Sequence, residues 1–551
     1  MSELPPAIVL LGQGGLATAQ RLRALYPQAR LLGLATRVHG AGETYEHFGD
    51  TLRQLYRENT PIIALCAAGI VIRTLAPELL AKTAEPPVLA LAEDGSAVVP
   101  LLGGLGGVNH MARCIAAHLA VAPAITTSGE LRFGQCLLDP PEGYVLADLD
   151  QGKRFVADLL GGAAVRIEGP APWLSDAPLS KAADARLAIH VSPHARPAAA
   201  HELLIHPRSV VLAVHHTAAD LAPKVRALLE REGIAPAALG CVLAAPEAMA
   251  DGALHALANA LALPLRFNPA LPGHASEGVA LRVYPAPIDP DSLGQRRGRL
   301  AVVGLGPGAA ALLAPAVRAE LAHAQDVLGY ETYVRMAGPF RDDQVLHCTD
   351  NREELQRARH AFELAAQGRS VVVVSSGDPG VFAMASAVLE ALESGEAAWH
   401  RVDLQVLPGI SASLATAAWA GAPLGHDFCV LSLSDNLKPW AMIEKRLHLA
   451  CEADLAMAFY NPISRSRPWQ LGRALEIVRQ HRAPATPVVL GRDVARPGQR
   501  LRVVSLGELT PDMVDMRTMV LVGSSTTRCI ARVEGPPWVY TPRWYPQAPH
   551  Q

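Results

Sequence analysis

Short apolar runs alternate with stretches of helical period along most of this chain. Residues 7–11, 61–65, 88–91 and 98–102 read as strands, and 16–25, 70–80 and 108–119 as helices. Alternation of this kind predicts an open α/β sheet over 1–145. A second α/β run starts at Ser209-Val-Val-Leu-Ala-Val214, continues in a helix over 221–232 and closes by 284. The interval 146–208 is rich in Ala and Pro, with short apolar runs, and is expected to connect or to be inserted. Residues 285–298 have linker composition, with prolines and aspartates and no apolar period. A fresh strand at 299–303 opens a further unit, 299–535. The end, 536–551, is rich in Pro, Trp and Tyr and reads as a surface tail. The fold class is therefore α/β and multidomain.

The chemistry concentrates where apolar runs stop. The strand from Ala301 breaks into Gly304-Leu-Gly-Pro-Gly308, and a later one into Ser375-Ser-Gly-Asp-Pro-Gly380. Val406-Leu-Pro-Gly-Ile-Ser-Ala412, 427–435, Ala456-Met-Ala-Phe-Tyr-Asn-Pro462 and 518–525 repeat the pattern. Polar groups at the carboxyl ends of strands are where ligands bind in open α/β sheets. A dinucleotide loop would read G-x-G-x-x-G and open directly onto a helix. Here a proline stiffens the turn and removes a donor, which favours another flat, adenosine-bearing ligand. A nucleotide-dependent oxidoreductase on Gly12-Gln-Gly-Gly15 and Gly304–Gly308 is the competing reading. It needs an acidic residue closing the next strand, whereas Asp326 precedes its apolar run.

Composition narrows the classes. Half the residues are hydrophobic and 18% charged, with a net charge of −3. With no basic tail, nothing points to nucleic acid. No apolar stretch is long enough for a membrane span, and no targeting segment stands at the start, so a cytoplasmic location is expected. The eight cysteines are scattered without a C-x-x-C pair, and no metal site is expected. His215-His216 does not change this, because adjacent strand residues point to opposite faces.

The ordered loops over 299–532 resemble the tetrapyrrole methylases. Gly421-Ala-Pro-Leu-Gly-His-Asp-Phe428, Ser432–Asp435, Pro439-Trp440 and Tyr460-Asn-Pro462 look like the branch that methylates carbon 17 of precorrin-3B in cobalamin synthesis. The resemblance implies a two-lobed domain, often homodimeric, with S-adenosylmethionine (SAM) folded in the cleft. It implies cofactor contacts at Gly306, Pro307, Ser376, Gly377, Asp378, Val381, Ser411, Ala412, Tyr460, Val494 and Thr518. Methylation with ring contraction calls for a general base, and His426 and Asp435 are both candidates. A tetrapyrrole carries many carboxylates, which Lys438, Lys445, Arg446, Arg465, Arg467 and Arg492 could meet.

Residues 69–77, 93–96, 99–109 and 125–127 resemble the cobalt-precorrin-5A hydrolase family, also called the cobalamin biosynthesis G-type proteins. Leu239-Gly-Cys241 and Ser276-Glu-Gly278 fit the C-terminal part of that family more loosely. Arg73 and Asn109 are its candidate substrate contacts, and the glycine run 103–107 is expected to back onto a ligand. Two departures stand out: Leu102-Gly-Gly-Leu-Gly-Gly107 lacks the family's histidine, and Ala213-Val-His-His-Thr217 replaces its Gly-Cys-Arg strand end. A hydrolase role and an intermediate-binding role both remain open.

Overall fold

The computed structural model describes residues 5–80, 85–218, 220–273, 277–350 and 353–545. Ser276 and the last residues of the expected tail lie outside them. The chain divides into two compact units, Met1–Arg297 and Gly298–Gln551.

In the first unit, six strands form a sheet in the order Glu43–Tyr45, Arg30–Leu34, Ala7–Leu10, Ile62–Leu65, Val88–Leu91, Val98–Leu102. All neighbours are parallel except the last pair. Ala7–Leu10, Ile62–Leu65 and Val88–Leu91 are buried throughout, as parallel strands covered on both faces must be. Helices Leu16–Leu25 and Val108–Leu119 pack on one face. The helix expected over 70–80 begins at Ala68 and loses α geometry after Leu75, finishing as a 3-10 turn over Ala76–Leu80. Pro77 explains the change, since it has no N–H for the helical ladder.

The interval 146–208 does more than connect. Tyr144–Leu146, Glu202–Pro207, Leu187–Val191 and Val165–Glu168 form a four-stranded sheet of their own in that order. Its core includes Phe155, Leu174, Ile189 and Ile205. A further four-stranded sheet is built from Leu265–Phe267, Leu239–Ala244, Val210–Val214 and Val279–Val283.

The second unit has two lobes. The first is an all-parallel sheet in the order Val345–Thr349, Asp326–Tyr330, Ser370–Ser375, Arg299–Gly304, Asp403–Leu407. The order changes direction beside Arg299–Gly304, so the loops after this strand and its neighbours meet at a topological switch point. The second lobe orders Phe428–Ser432, Ala456–Tyr460, Thr518–Val522, Pro487–Arg492 and Arg500–Ser505 into a mixed sheet. The expected surface tail also contributes structure. Trp538–Tyr540 pairs with both Gly421–Ala422 and Arg528–Ile530, and Val539 is fully buried. Among the described residues, no helix is long and apolar enough to cross a membrane.

Candidate functional site

Three loops converge at the switch point of the first lobe. Gly306 and Gly377 form a two-residue antiparallel bridge, with Gly306 N donating to Gly377 O at 3.0 Å and Gly377 N to Gly306 O at 2.8 Å. Both have positive φ, which glycine adopts without steric cost. The third loop arrives at Gly409, where a Cβ would lie 2.2 Å from Gly377 O and 2.7 Å from Gly304 O. Only glycine permits that approach. Asp378 holds the junction: one carboxylate oxygen accepts from Gly380 N at 2.8 Å and the other from Gly409 N at 3.1 Å. Its carboxylate is thus occupied by backbone donors.

The second lobe supplies the facing wall. Ser411 caps the helix Ala412–Ala420, its hydroxyl accepting from Leu414 N. That hydroxyl also lies 3.0 Å from Ser413 Oγ. Tyr460, at the carboxyl end of its strand, accepts from Ser413 N at 3.1 Å. The ring of Phe382 lies 5.3 Å from that of Tyr460, and Lys438 Nζ sits 5.9 Å above Phe382. Burial, with help from Arg446, holds the Lys438 ammonium below its usual range. Phe382 is half exposed at φ 52°, a conformation costly for a bulky residue.

The expected residues part company here. Gly306, Pro307, Ser376, Gly377, Asp378, Ser411, Ala412 and Tyr460 come together, with Val381 in the turn after Asp378. Val494 adjoins Gly491 near Thr416. Thr518 starts its strand opposite Arg492, and its hydroxyl is bonded to Asp515 at 2.7 Å. Asp435 lies beyond the carboxyl end of Phe428–Ser432, where Gln470 Nε2 reaches its two oxygens at 3.2 and 3.3 Å. His426 is at the other end of that strand, edge-on to Tyr545, with its Nδ1 accepting from Asp427 N. The structure therefore does not bring the two candidate bases together.

The cations also divide. Arg465, Lys445 and Arg446 are exposed. Arg467 is buried and donates to Asn461 O, fixing its own loop. Arg492 is taken up by Asp515 and Asp493. Arg496, which no motif marks, crosses between lobes: Nε donates to Pro307 O at 2.7 Å and Nη2 to Ser376 Oγ at 3.2 Å. Its role depends on a reach between lobes that no local pattern encodes.

In the first unit, a cavity of about 360 Å³ lies at the carboxyl ends of the central strands, lined by Leu11, Cys66, Ala67, Leu91, Glu93 and Val99. Burial, and then Glu93, push the Cys66 thiol up to about 11, so it stays protonated at neutral pH. The Glu93 carboxylate lies against Gly12 and Gly14, an unfavourable neighbour for a nucleotide phosphate. Asp326 opens its strand and is bonded to His347 and Arg369, so it cannot serve as a ribose acceptor. Both features tell against the oxidoreductase reading.

Three other expectations meet different surroundings. Gly103 backs onto the chain, where a Cβ would lie 2.4 Å from Pro86 O. Asn109 is buried and gives its amide to Thr127 at 3.0 Å and Glu130 at 2.5 Å. Arg73 is exposed on the helix Ala68–Leu75.

A family model described as Tetrapyrrole (Corrin/Porphyrin) Methylases matches residues 299–510, and one described as Cobalamin synthesis G N-terminal matches 50–130. A precorrin-3B C(17)-methyltransferase from Sinorhizobium sp is 51% identical over 248 residues, 45% of this chain and 97% of the relative. A probable cobalt-factor III C(17)-methyltransferase from Salmonella typhimurium is 39% identical over 228 residues, 41% of this chain and 93% of the relative. A crystal structure of the methyltransferase CobJ is 56% identical, covers 44% of this chain and 100% of its own, and has a TM-score of 0.42.

Proposed function

Because this chain belongs to the tetrapyrrole (corrin/porphyrin) methylases, we propose that it transfers a methyl group from SAM to carbon 17 of precorrin-3B in cobalamin biosynthesis. The observation that carries the reading is 51% identity across 97% of a relative bearing that activity in its name. The three glycine-closed loops give it a physical basis. They offer flat backbone surfaces, and at Gly377 an added Cβ would meet nothing nearer than 3.6 Å. That cradle, with the Ser376 and Tyr460 hydroxyls, suits a flat, polar cofactor.

SAM, when bound, supplies an activated methyl that needs no metal. Gly306, Pro307, Ser376, Gly377, Val381, Ala412, Tyr460, Val494 and Thr518 hold it, with Asp378 and Ser411 fixing the loops. The residues' task is to keep donor and acceptor carbon in line at about 3–3.5 Å and to exclude water. Asp435 is the base: it takes the proton of the carbon-20 hydroxyl. The electrons left on oxygen form the carbonyl of an acetyl group as the ring bond at carbon 20 migrates with its electron pair to the neighbouring carbon in a pinacol-type shift, and the group released from that carbon carries away the displaced pair, giving the contracted macrocycle of precorrin-4. Lys438 and Arg465 meet the substrate's carboxylates, and Phe382 faces its ring system. The enzyme works in the cytoplasm as a homodimer through this domain. A chain that binds neither SAM nor S-adenosylhomocysteine in calorimetry would contradict the reading.

A cobalt-bearing substrate is the second reading, supported by the relative named for cobalt-factor III. The first unit handles a tetrapyrrole intermediate, as its G-type segment suggests. Acetaldehyde release from a lactone-bearing corrinoid by the full chain would assign it a hydrolase role. Binding without release would leave it a carrier.

A further inference from the structure

We propose that Arg496 is the carboxylate anchor of the cleft in the second unit. This rests on the methyltransferase reading above. The residue sits in the loop after Pro487–Arg492, a turn closed by its own hydrogen bonds. Asp493 and Ala495 have φ of 48° and 60°, and Gly498 of 81°. Asp493 N donates to Arg517 O, Arg496 N to Asp493 O, Ala495 N to Gln499 Oε1 and Gln499 N to Arg496 O. Backbone held this way outside the common regions costs free energy and persists where its surroundings over-determine it.

The side chain is laid flat on Gly308, where a Cβ would lie 2.7 Å from its Cγ. From there it reaches Pro307 O and Ser376 Oγ, one on each of the two bridged loops. Both partners are neutral. Among the described residues, no carboxylate lies within ion-pair distance of Arg496. The acid of its own loop, Asp493, is engaged by Arg492 and Arg517. Arg492 itself is neutralised by Asp515. Arg496 is therefore a half-buried guanidinium beside a ligand cleft, positioned by two neutral acceptors and lacking a counter-ion. A guanidinium has five donors in a rigid fork suited to a carboxylate, and two suffice for the bonds seen.

The missing partner is a carboxylate of the bound ligand. It has two sources: the amino-acid end of the cofactor, or an acetate or propionate arm of the tetrapyrrole. The geometry favours the cofactor, since both present partners lie on the loops that would hold it.

Calorimetry on the full chain and its Arg496→Gln and Arg496→Lys variants tests this. The probes are S-adenosylhomocysteine, which carries the carboxylate, and 5′-methylthioadenosine, which does not. Arg496→Gln is expected to weaken S-adenosylhomocysteine at least about tenfold and methylthioadenosine by less than about twofold, with partial recovery in Arg496→Lys. If both probes are unchanged and the KM for precorrin-3B rises about tenfold, the anchor holds and the tetrapyrrole supplies the carboxylate. Equal loss of both probes, or no change in any constant, would overturn the proposal and leave Arg496 a latch between lobes. A wild-type chain that binds neither probe contradicts the methyltransferase reading itself.

Discussion

His426 and Asp435 flank one five-residue strand, Phe428–Ser432. At about 3.3 Å per residue, the strand alone puts roughly 13 Å between the ends where they stand. They cannot both serve one reacting centre, and the carboxyl edge belongs to Asp435. We predict that Asp435→Asn lowers kcat by about 10²–10⁴-fold with little change in cofactor affinity, while His426→Ala leaves kcat within about twofold. Steady-state kinetics with precorrin-3B decides it, and the reverse ranking would move the base to the other end of the strand. The glycines of the two loops were legible in the sequence because each marks a place where the backbone must turn or approach closely. Arg492 was not correctly legible, because its partner Asp515 lies 23 residues on and is brought alongside only by the pairing of Pro487–Arg492 with Thr518–Val522. Phe382 was missed because nothing in its neighbours announces a positive φ.

At the scale of elements, long periodic helices and fully apolar strands were read from the sequence almost to the residue, as Leu16–Leu25 and Val108–Leu119 illustrate. The sheet within 146–208 was not. Its strands are short, and Tyr144–Leu146 pairs with Glu202–Pro207 across the whole interval. A pairing of that span leaves no local signal. The same sheet carries Glu168, His190 and Glu202 close enough to share an ion, but Arg166 pairs with Glu168 and Arg196 with Glu202. The trio therefore behaves as an ion-pair network. The hydrogen bonds from Arg196 hold the Glu202 carboxyl below its usual range, against the opposing effect of burial. A carboxyl depressed on folding stabilises the native state above its unfolded pKa, about 4.3. That contribution is lost as pH falls through the lower folded value. Glu202→Gln should therefore cost roughly 1–2 kcal/mol at pH 7, and the gap from wild type should close below about pH 4. Urea midpoints at the two pH values measure it, and an undiminished gap in acid would mean that charge is not the source.

At the scale of the whole molecule, segments similar to two families of cobalamin synthesis stand in one chain. Residues 299–510 match the tetrapyrrole methylase family model, and 50–130 match the model described as Cobalamin synthesis G N-terminal. The two compact units divide at Arg297/Gly298, just before the new first strand expected at 299, but 285–297 is no free linker: Ile288 bonds to Arg208, Gln295 to Phe267, and Asp291 pairs with Arg266. What the first unit does with an intermediate was not legible, since that depends on affinities that no motif states. Methyl transfer by the second unit is tested by mass spectrometry of the product formed from precorrin-3B and SAM. A tetrapyrrole heavier by one methyl group is expected, with the contracted ring and its acetyl group visible on fragmentation. Recovery of unmethylated precorrin-3B beside intact SAM would contradict it.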